Sequence, residues 1–353
     1  MDKTTRSHSH TARQAELDLK AKEAALLEAS RSPHTQRAME GAVRHFTMVY
    51  GGLLPCSGEE LKDYLVHYAG ELSVATLEQR RVLIGRWHRE QGFSANPNDH
   101  ALVKAVMRGI RRQYGQRQKQ ARPAPIRMIE QVVQHLDRTI LETSDAMALK
   151  ARRDKALLLT AFWFGLRSDE LVRLRVCDVS FHEGQETPCM ELYLNQSKTD
   201  REGRGQRRTL NALAALCPMA ALQAWLAARF QGLELAGQPD STMPLLAKVS
   251  RWDKVSDQPI HINSINKLLK TLLASAGVDP EDYSSHSMRR GIANWIMDSG
   301  ASVAELTEWI GWRDTRTAMR YLDGKSSLPS KIIERHMAAQ AWLENDASAS
   351  GNR

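Results

Sequence analysis

The sequence predicts a mainly α-helical protein of two domains: an all-helical N-terminal domain and a mixed, mostly helical C-terminal domain with a small antiparallel sheet. Its 353 residues are enough for two domains that each bury a core. Apolar residues recur at helical spacing through most of the chain. Residues 115–126 lack that spacing and contain two prolines, so they are predicted to be a linker between the domains.

The N-terminal region begins with a polar tail, residues 1–30, which is predicted to be helical from about Gln14. The first domain, residues 31–114, shows four amphipathic helical patterns. The first pattern follows a candidate cap and a proline at the first helical position, and the second follows a candidate capping box. The helices are expected to begin just after Ser32, Ser57, Ser73 and Asn98.

Arginines decorate the third and fourth of these helices, which suits contact with a polyanion. The residues of this module predicted to contact DNA are Arg80, Arg81, Arg86, Arg108, Arg111 and Arg112. The linker is basic and extended, and it adds Lys119 and Arg122 to this set. A basic linker between a basic module and a larger domain is expected to let the protein close around a duplex as a clamp.

The second domain, residues 127–345, is predicted to be mostly helical and to be followed by a disordered tail, residues 346–353. Two short runs, Cys189–Leu194 and Arg208–Asn211, are typical of strands and flank a polar, basic turn. That turn contributes Arg201 and Arg204 to the predicted DNA contacts. Helical patterns cover about 128–141, 146–176, 218–230, 262–276, 286–299, 302–310, 315–321 and 330–343.

Composition narrows the function classes. Lysine and arginine number 49 against 41 aspartates and glutamates, which gives a formal net charge of +8. Clustered basic residues favour a nucleic-acid partner, although a solvated basic surface explains the charge equally well by itself. The four cysteines are far apart, which argues against a zinc site or a disulfide framework. The sequence has no apolar run long enough for a membrane span and no signal-peptide core, so a cytoplasmic protein is expected.

Short motifs in the second domain carry residues suited to phosphate chemistry. His286 and Arg289 lie three positions apart at the predicted start of a helix, where free backbone N–H groups favour anions. Taken singly, each motif has an ordinary structural interpretation, such as a surface ion pair between Arg167 and Glu170. The other candidates are Lys198 in the basic turn, then Trp312 and Tyr321 towards the C-terminus.

Taken together, these motifs resemble those of the tyrosine recombinases, the phage integrase family. The matching segments are Leu-Arg-Ser-Asp-Glu-Leu at 166–171, Ser-Lys-Thr at 197–199, His-Ser-Met-Arg-Arg-Gly at 286–291, Ile-Gly-Trp at 310–312 and Tyr-Leu at 321–322. The resemblance covers about residues 30–340, and the N-terminal module is similar to the family's core-binding domain. A tryptophan at 312, where many members have histidine, is similar to the Cre-like recombinases.

The resemblance implies a site-specific DNA recombinase that cleaves and rejoins strands through a 3′-phosphotyrosine on Tyr321. Protein nucleophiles of this kind retain the energy of the broken bond in a covalent link. Arg167 and Arg289 are expected to grip the non-bridging phosphate oxygens, because a guanidinium offers a fork of donors. Lys198 is the candidate general acid for the departing 5′ oxygen.

Three further residues have supporting roles in this hypothesis. His286 is expected to hydrogen-bond the phosphate or to assist proton transfer to and from the nucleophile. Trp312 is expected to donate its indole N–H to a phosphate oxygen, and Glu170 to orient Arg167 or His286. No metal or ATP is expected, because the histidines are scattered, two arginines supply the positive charge and no P-loop motif is found.

The expected partners are double-stranded DNA, with a specific recombination site of inverted repeats, and other copies of the chain. The resemblance implies a homotetramer on paired sites, in which the helix predicted at 330–343 docks on a neighbour or, alternatively, on its own domain. Accessory proteins are a further possibility. The alternatives are a catalytically silent integrase-like DNA-binding protein and a type IB topoisomerase or telomere resolvase. Covalent capture of DNA separates the first from the enzymes, and relaxation without exchange between sites separates a topoisomerase from a recombinase.

Overall fold

The chain divides into two compact units, residues 1–119 and 120–353. The computed structural model describes residues 19–23, 25–26, 33–116, 120–195, 205–230, 242–250, 252, 254–312, 315 and 318–319. Within the N-terminal tail, residues 19–23 and 25–26 are helical and exposed. Among the described residues, no helix is long and apolar enough to cross a membrane.

The N-terminal unit is all helical in its described part, as the sequence predicts. Its helices are α1 (Pro33–Arg44), α2 (Gly58–His67), α3 (Val74–Glu90) and α4 (Ala101–Tyr114). Ser57 caps α2 in a full capping box with Glu60, and the Ser73 side chain accepts from the Thr76 N–H at the start of α3. The capping box could be predicted from the sequence because it is completed within one helical turn.

Aromatic and aliphatic side chains from the π-helical turn after α1 and from α2, α3 and α4 form the core of this unit. Phe46, Tyr64, Leu77 and Met107 are almost fully buried there. Phe46 lies on a π-helical turn, residues 45–49, that continues α1 and that the sequence does not reveal. The unit therefore presents its arginines on the outer faces of helices that a closed apolar core holds in place.

The C-terminal unit is mainly helical and contains two small antiparallel sheets. Its helices are α5 (Ile126–Glu142), α6 (Asp145–Trp163), α7 (Ser168–Arg173), α8 (Pro218–Arg229), α9 (Ile262–Ser275), α10 (Ser285–Asp298) and α11 (Val303–Ile310). Its strands are β1 (Val179–His182), β2 (Cys189–Leu194), β3 (Gln206–Asn211), β4 (Ala247–Val249) and β5 (Val255–Pro259). The mainly helical class with a small antiparallel sheet is thus confirmed.

Helix α6 is buried over most of its length and forms the centre of the C-terminal core. The larger sheet has the order β1-β2-β3, and Leu192 of β2 lies opposite both Val179 and Arg208. Strands β4 and β5 pair separately. Strand β2 has the predicted bounds and β3 begins two residues earlier than predicted, whereas β1, β4 and β5 were not predicted.

The helical pattern over 146–176 is divided into two helices by a break. Helix α6 stops at Trp163, Gly165 takes a left-handed φ of +56°, and Arg167 is extended before α7 begins. Apolar spacing continues through this break, so periodicity alone did not reveal it. The break matters because it places Arg167 at a turn rather than on the side of a long helix.

Residues 120–125, which the sequence places in the linker, pack on the C-terminal unit. Ala124 is fully buried, and its N–H donates to the Ser287 carbonyl at 3.0 Å. The Arg122 N–H donates to the Asp282 carbonyl at 3.0 Å. An extended strip that docks by backbone hydrogen bonds has no helical spacing, which is why it resembles a linker in sequence. The helix predicted at 315–321 is described only at 315, 318 and 319, which are helical, and the one predicted at 330–343 lies outside the described residues.

Candidate active site

Arg167 and Glu170 form the first part of the site, at the turn between α6 and α7. Glu170 is the third residue of α7 and accepts from the Arg167 backbone N–H at 2.8 Å through Oε2. Its Oε1 accepts from Nη1 of the Arg167 side chain at 2.6 Å. The Glu170 side chain is 1% exposed and that of Arg167 is 26% exposed. Arg167 is thus held at its base by a buried carboxylate and keeps part of its guanidinium at the surface.

Arg289 reaches the same carboxylate from α10. Its Nη1 lies 3.8 Å from Glu170 Oε2, and both side chains are about 1% exposed. The guanidinium also donates to the Gly165 carbonyl and, at 3.3 Å, to the Ile310 carbonyl. A fully buried guanidinium is costly unless charges and hydrogen bonds compensate it, and these contacts supply that compensation.

Glu170 is ionised at neutral pH because of its partners. Burial alone raises the pKa of the Glu170 carboxyl, but the Arg167 N–H and the charges of Arg167 and Arg289 outweigh it. The pKa of Glu170 therefore lies below its ordinary value. One carboxylate thus fixes two guanidiniums whose residues are 122 positions apart in the chain.

His286 lies one turn before Arg289, at the N-terminal end of α10. Ser284 caps this helix and accepts from the His286 backbone N–H at 3.3 Å. The His286 residue is exposed, yet partial burial of the ring and then the nearby charges of Arg289, Arg290 and Arg167 lower the pKa of the imidazole. The ring is therefore neutral at pH 7 and can accept a proton or a hydrogen bond.

Trp312 follows the left-handed Gly311 that ends α11. The residue is 6% exposed, and its backbone N–H donates to the Thr307 carbonyl at 2.9 Å. The Arg289 guanidinium lies 5.4 Å from the centroid of the indole ring, within cation–π range. The indole therefore packs against one of the two guanidiniums that share Glu170.

Arg208 is a site residue that the sequence analysis missed. It lies on β3, is 6% exposed, and donates to the Phe164 carbonyl at 2.6 Å and the Ile310 carbonyl at 2.8 Å. Burial lowers the pKa of its guanidinium to about 10, while attraction to Glu170 opposes that shift. Strand alternation places Arg208 on the same face as Leu210, which was the available signal for an inward arginine.

The arginines predicted to contact DNA in the N-terminal unit divide into two groups. Arg81 and Arg111 both pair with Glu78, each at 2.5 Å. Arg86 pairs with Glu90 at 2.6 Å. These three guanidiniums are already engaged by carboxylates of the same unit.

The second group is free to meet a polyanion. Arg108 and Arg112 lie exposed on α4 and make no ion pair or hydrogen bond with another described side chain. Arg80 is half-buried and donates to the Tyr64 hydroxyl at 3.3 Å. Arg108 and Arg112 are therefore the more accessible cations of the predicted set.

Of the remaining residues predicted to contact DNA, only Arg122 lies within the described part of the chain. Arg122 is exposed, with its guanidinium 5.9 Å from the centroid of the Tyr283 ring.

Within the described part of the chain, no three histidine, cysteine or acidic side chains form a group that could hold a metal ion. The site residues that lie outside the described residues are Lys119, Lys198, Arg201, Arg204 and Tyr321.

The sequence matches the model of the phage integrase family over residues 127–327. This stretch is more than half of the chain and contains every residue of the candidate site. The protein belongs to the phage integrase family, the tyrosine recombinases.

Curated relatives are similar along most of their length. An integrase/recombinase XerD homologue from Selenomonas ruminantium is 27% identical over 330 residues, which cover 90% of this chain and 89% of the relative. The recombinase Cre of Escherichia phage P1 is 25% identical over 295 residues, covering 79% of this chain and 80% of the relative. Both relatives therefore match the N-terminal unit as well as the C-terminal one.

Solved structures share the fold at low sequence identity. The XerH site-specific recombinase bound to a palindromic difH substrate has a TM-score of 0.54 at 16% identity, over 85% of this chain and 76% of that chain. The Tn1549 transposon integrase in complex with a circular intermediate DNA has a TM-score of 0.56 at 13% identity, over 91% of this chain and 98% of that chain. The predicted mixed, mostly helical catalytic fold agrees with both.

Proposed function

We propose that this tyrosine recombinase is a site-specific DNA strand transferase that cleaves and rejoins DNA through Tyr321. The observation that carries the proposal is the pair of guanidiniums, Arg167 and Arg289, held on the single buried carboxylate of Glu170. Two forked cations on one carboxylate suit a phosphodiester that is held by its non-bridging oxygens, which supports the proposed role of this pair. The relatives support the same substrate: Cre is a recombinase, the XerH recombinase is bound to its difH substrate, and the Tn1549 transposon integrase is in complex with DNA.

The chemistry begins with attack of the Tyr321 hydroxyl on the scissile phosphorus. The bond from phosphorus to the 5′ oxygen breaks, a 3′-phosphotyrosine forms, and Lys198 gives a proton to the departing 5′ oxygen. His286, neutral at pH 7, hydrogen-bonds the phosphate or takes the tyrosine proton. Rejoining reverses these steps with the 5′ hydroxyl of a partner strand.

Stabilisation of charge in the transition state falls to the guanidiniums. Preorganised donors of this kind are each worth roughly 3–4 kcal/mol when one is removed. Trp312 stacks near Arg289 and is proposed to donate its indole N–H to a phosphate oxygen. Because two arginines already carry the positive charge, the reaction is proposed to need neither a metal ion nor ATP.

Binding is proposed to place a duplex against both units, with Arg108 and Arg112 on phosphates from the N-terminal side. We further propose the domain limits given above, a homotetramer on paired inverted-repeat sites, and a cytoplasmic location. A catalytically silent DNA-binding protein is the rival function. The arginine pair on Glu170 argues against it, because that pair is retained together with His286 and Trp312 in one unit.

The test is covalent trapping on nicked duplexes drawn from the DNA that flanks the protein's own gene. Full-length protein and Tyr321→Phe are incubated with each duplex, denatured and separated on a gel. We expect a covalent adduct with the unaltered protein and none with Tyr321→Phe, while both bind the duplex equally. Adducts at equal yield in the variant would place the nucleophile elsewhere, and binding without any adduct would favour the silent protein.

A further inference from the structure

Arg208 holds two backbone segments that lead into the site. Its Nη1 donates to the Phe164 carbonyl at 2.6 Å, three residues before Arg167. Its Nη2 donates to the Ile310 carbonyl at 2.8 Å, two residues before Trp312. Strand β3, segment 164–167 and the end of α11 are thereby joined by one guanidinium.

Arg289 grips the same two segments from α10. It donates to the Gly165 carbonyl, next to the acceptor of Arg208, and at 3.3 Å to the same Ile310 carbonyl. The two arginines therefore hold the carbonyls of segment 164–165 and of residue 310 by hydrogen bonds from two directions. Displacing either guanidinium would move the acceptors of the other.

The close approach of β3 to the end of α11 depends on a glycine. Gly311 has a φ of +68°, and a Cβ there would lie 2.6 Å from Arg208 Nη2 and 2.3 Å from the Gln206 side-chain oxygen. Gln206 itself accepts from Arg208 Nη2 at 3.0 Å. Strand β3 therefore approaches the end of α11 as closely as backbone and guanidinium allow.

The charge of Arg208 is not neutralised by a carboxylate of its own. It forms no ion pair with any described carboxylate, whereas Glu170 already serves Arg167 and Arg289. Arg153 shows the contrasting arrangement in the same unit: it is 4% exposed, donates to the Ala247 carbonyl at 3.1 Å and pairs with Asp154 at 2.6 Å. A buried structural arginine thus has its own counter-ion here, and Arg208 does not.

We propose that Arg208 is a positioning residue for strand cleavage, which holds the Phe164 and Ile310 carbonyls so that Arg167, Arg289 and Trp312 meet the scissile phosphate together. Its positive charge, which has no ion-pair partner among the described carboxylates, adds to the electrostatic field at the phosphate. The inference rests on the proposed cleavage reaction.

The test compares Arg208→Gln, Arg208→Lys and the matched control Arg153→Gln in the full-length protein. Three quantities are measured: the dissociation constant for an intact duplex, the thermal midpoint, and the single-turnover rate of adduct formation on a nicked duplex cleaved by the unaltered protein. We expect Arg208→Gln to cleave at least about 30-fold more slowly with binding changed less than about threefold. Arg208→Lys should recover part of the rate, because it keeps the charge but not both carbonyl bonds.

Arg153→Gln is expected to lower the thermal midpoint and to leave the cleavage rate of the folded protein unchanged. A duplex with a neutral methylphosphonate at the scissile position gives the decisive readout, because it removes one phosphate charge. The penalty of Arg208→Gln should shrink there to below about fivefold. An equal penalty on both duplexes, an equal rate loss in Arg153→Gln, or loss of binding in parallel with rate would overturn the proposal.

The outcomes also separate this inference from the proposed function. Adduct formation by the unaltered protein and its loss in Tyr321→Phe report on cleavage without reference to Arg208. If those two results hold and both Arg208 variants cleave at the unaltered rate, only the role of Arg208 is wrong. Should Arg208→Gln fail to fold, Arg208→Lys carries the same comparison of rate against binding.

Discussion

In the N-terminal unit Arg86 and Arg111 are partly exposed and pair with carboxylates of the same unit, whereas Arg208 and Arg289 of the C-terminal unit are buried and donate to backbone carbonyls. Arg111, half exposed, pairs with Glu78. Arg289 has no exposed surface and shares Glu170 with Arg167. Exposed pairs contribute little to stability and exchange partners readily, but a buried guanidinium is costly to desolvate.

This difference indicates two uses of the same side chain. Surface arginines can release a carboxylate and accept a DNA phosphate, so they suit binding that depends on ionic strength. Buried arginines cannot move without disturbing their acceptors, so they suit a fixed geometry for one phosphate. The N-terminal unit is therefore organised for attachment and the C-terminal site for chemistry.

The largest expected effect comes from the same substitution made in each unit. Arg289→Lys should slow adduct formation by about 100–1000-fold, because a lysine cannot donate to the Gly165 and Ile310 carbonyls while serving a phosphate. Arg111→Lys should change that rate by less than about twofold. Single-turnover trapping at saturating protein measures both, and similar losses in the two variants would erase the distinction between the units.

An intermediate effect is expected from the two carboxylates that serve arginine pairs. Glu170→Gln should destabilise the protein by about 2–3 kcal/mol at pH 7, since it leaves buried guanidiniums without their anion. Glu78→Gln should destabilise the protein by at most about 1 kcal/mol, because the Glu78 side chain is 31% exposed. Calorimetric unfolding checks both values.

The pH dependence of stability gives a second test of the role of Glu170. The pKa of Glu170 lies below its ordinary value of 4.5, so its stabilisation is complete above that pH and is lost as pH falls through the folded-state pKa. Unfolding midpoints measured down to pH 3 should therefore fall less steeply in Glu170→Gln than in the unaltered protein. An unchanged slope would mean that Glu170 does not carry the buried charge.

The smallest expected effect concerns binding. Replacing Arg108 and Arg112 together by Gln should weaken DNA binding and reduce the slope of log affinity against log salt by about 1.8, because two phosphate contacts are lost. The matched double change of Arg81 and Arg111 should alter that slope by less than half as much, since both are paired with Glu78. Fluorescence anisotropy across salt concentrations distinguishes the two, and equal slopes would contradict the assignment of free cations.

Local signals in the sequence predicted much of the fold correctly. A capping box located the start of α2, and the periodicity of α8 through α11 located those helices within a residue or two. Periodicity alone does not mark the end of α6, because apolar residues continue past Trp163 into the turn. Strand β1 was missed because its four residues become a strand only by pairing with β2.

The candidate site was predictable in its residue types and only partly in its geometry. The motif around His286 and Arg289 indicated phosphate chemistry because both residues fall within one turn of a helix. That Glu170 would serve Arg289 as well as Arg167 was not predictable, because Arg289 comes from another helix far along the chain. Nor did spacing show Arg208 as a neighbour, since β3 meets α11 only in the folded unit.

The sequence by itself determined the family, the mainly helical class and the candidate site residues, because these depend on residue type, short spacing and helix-start signals. The tertiary structure alone decided which arginines are buried, which carboxylate they share, and that Arg208 joins the segments ahead of Arg167 and Trp312. The physical reason is that desolvation and hydrogen bonding to carbonyls depend on groups brought together from distant parts of the chain.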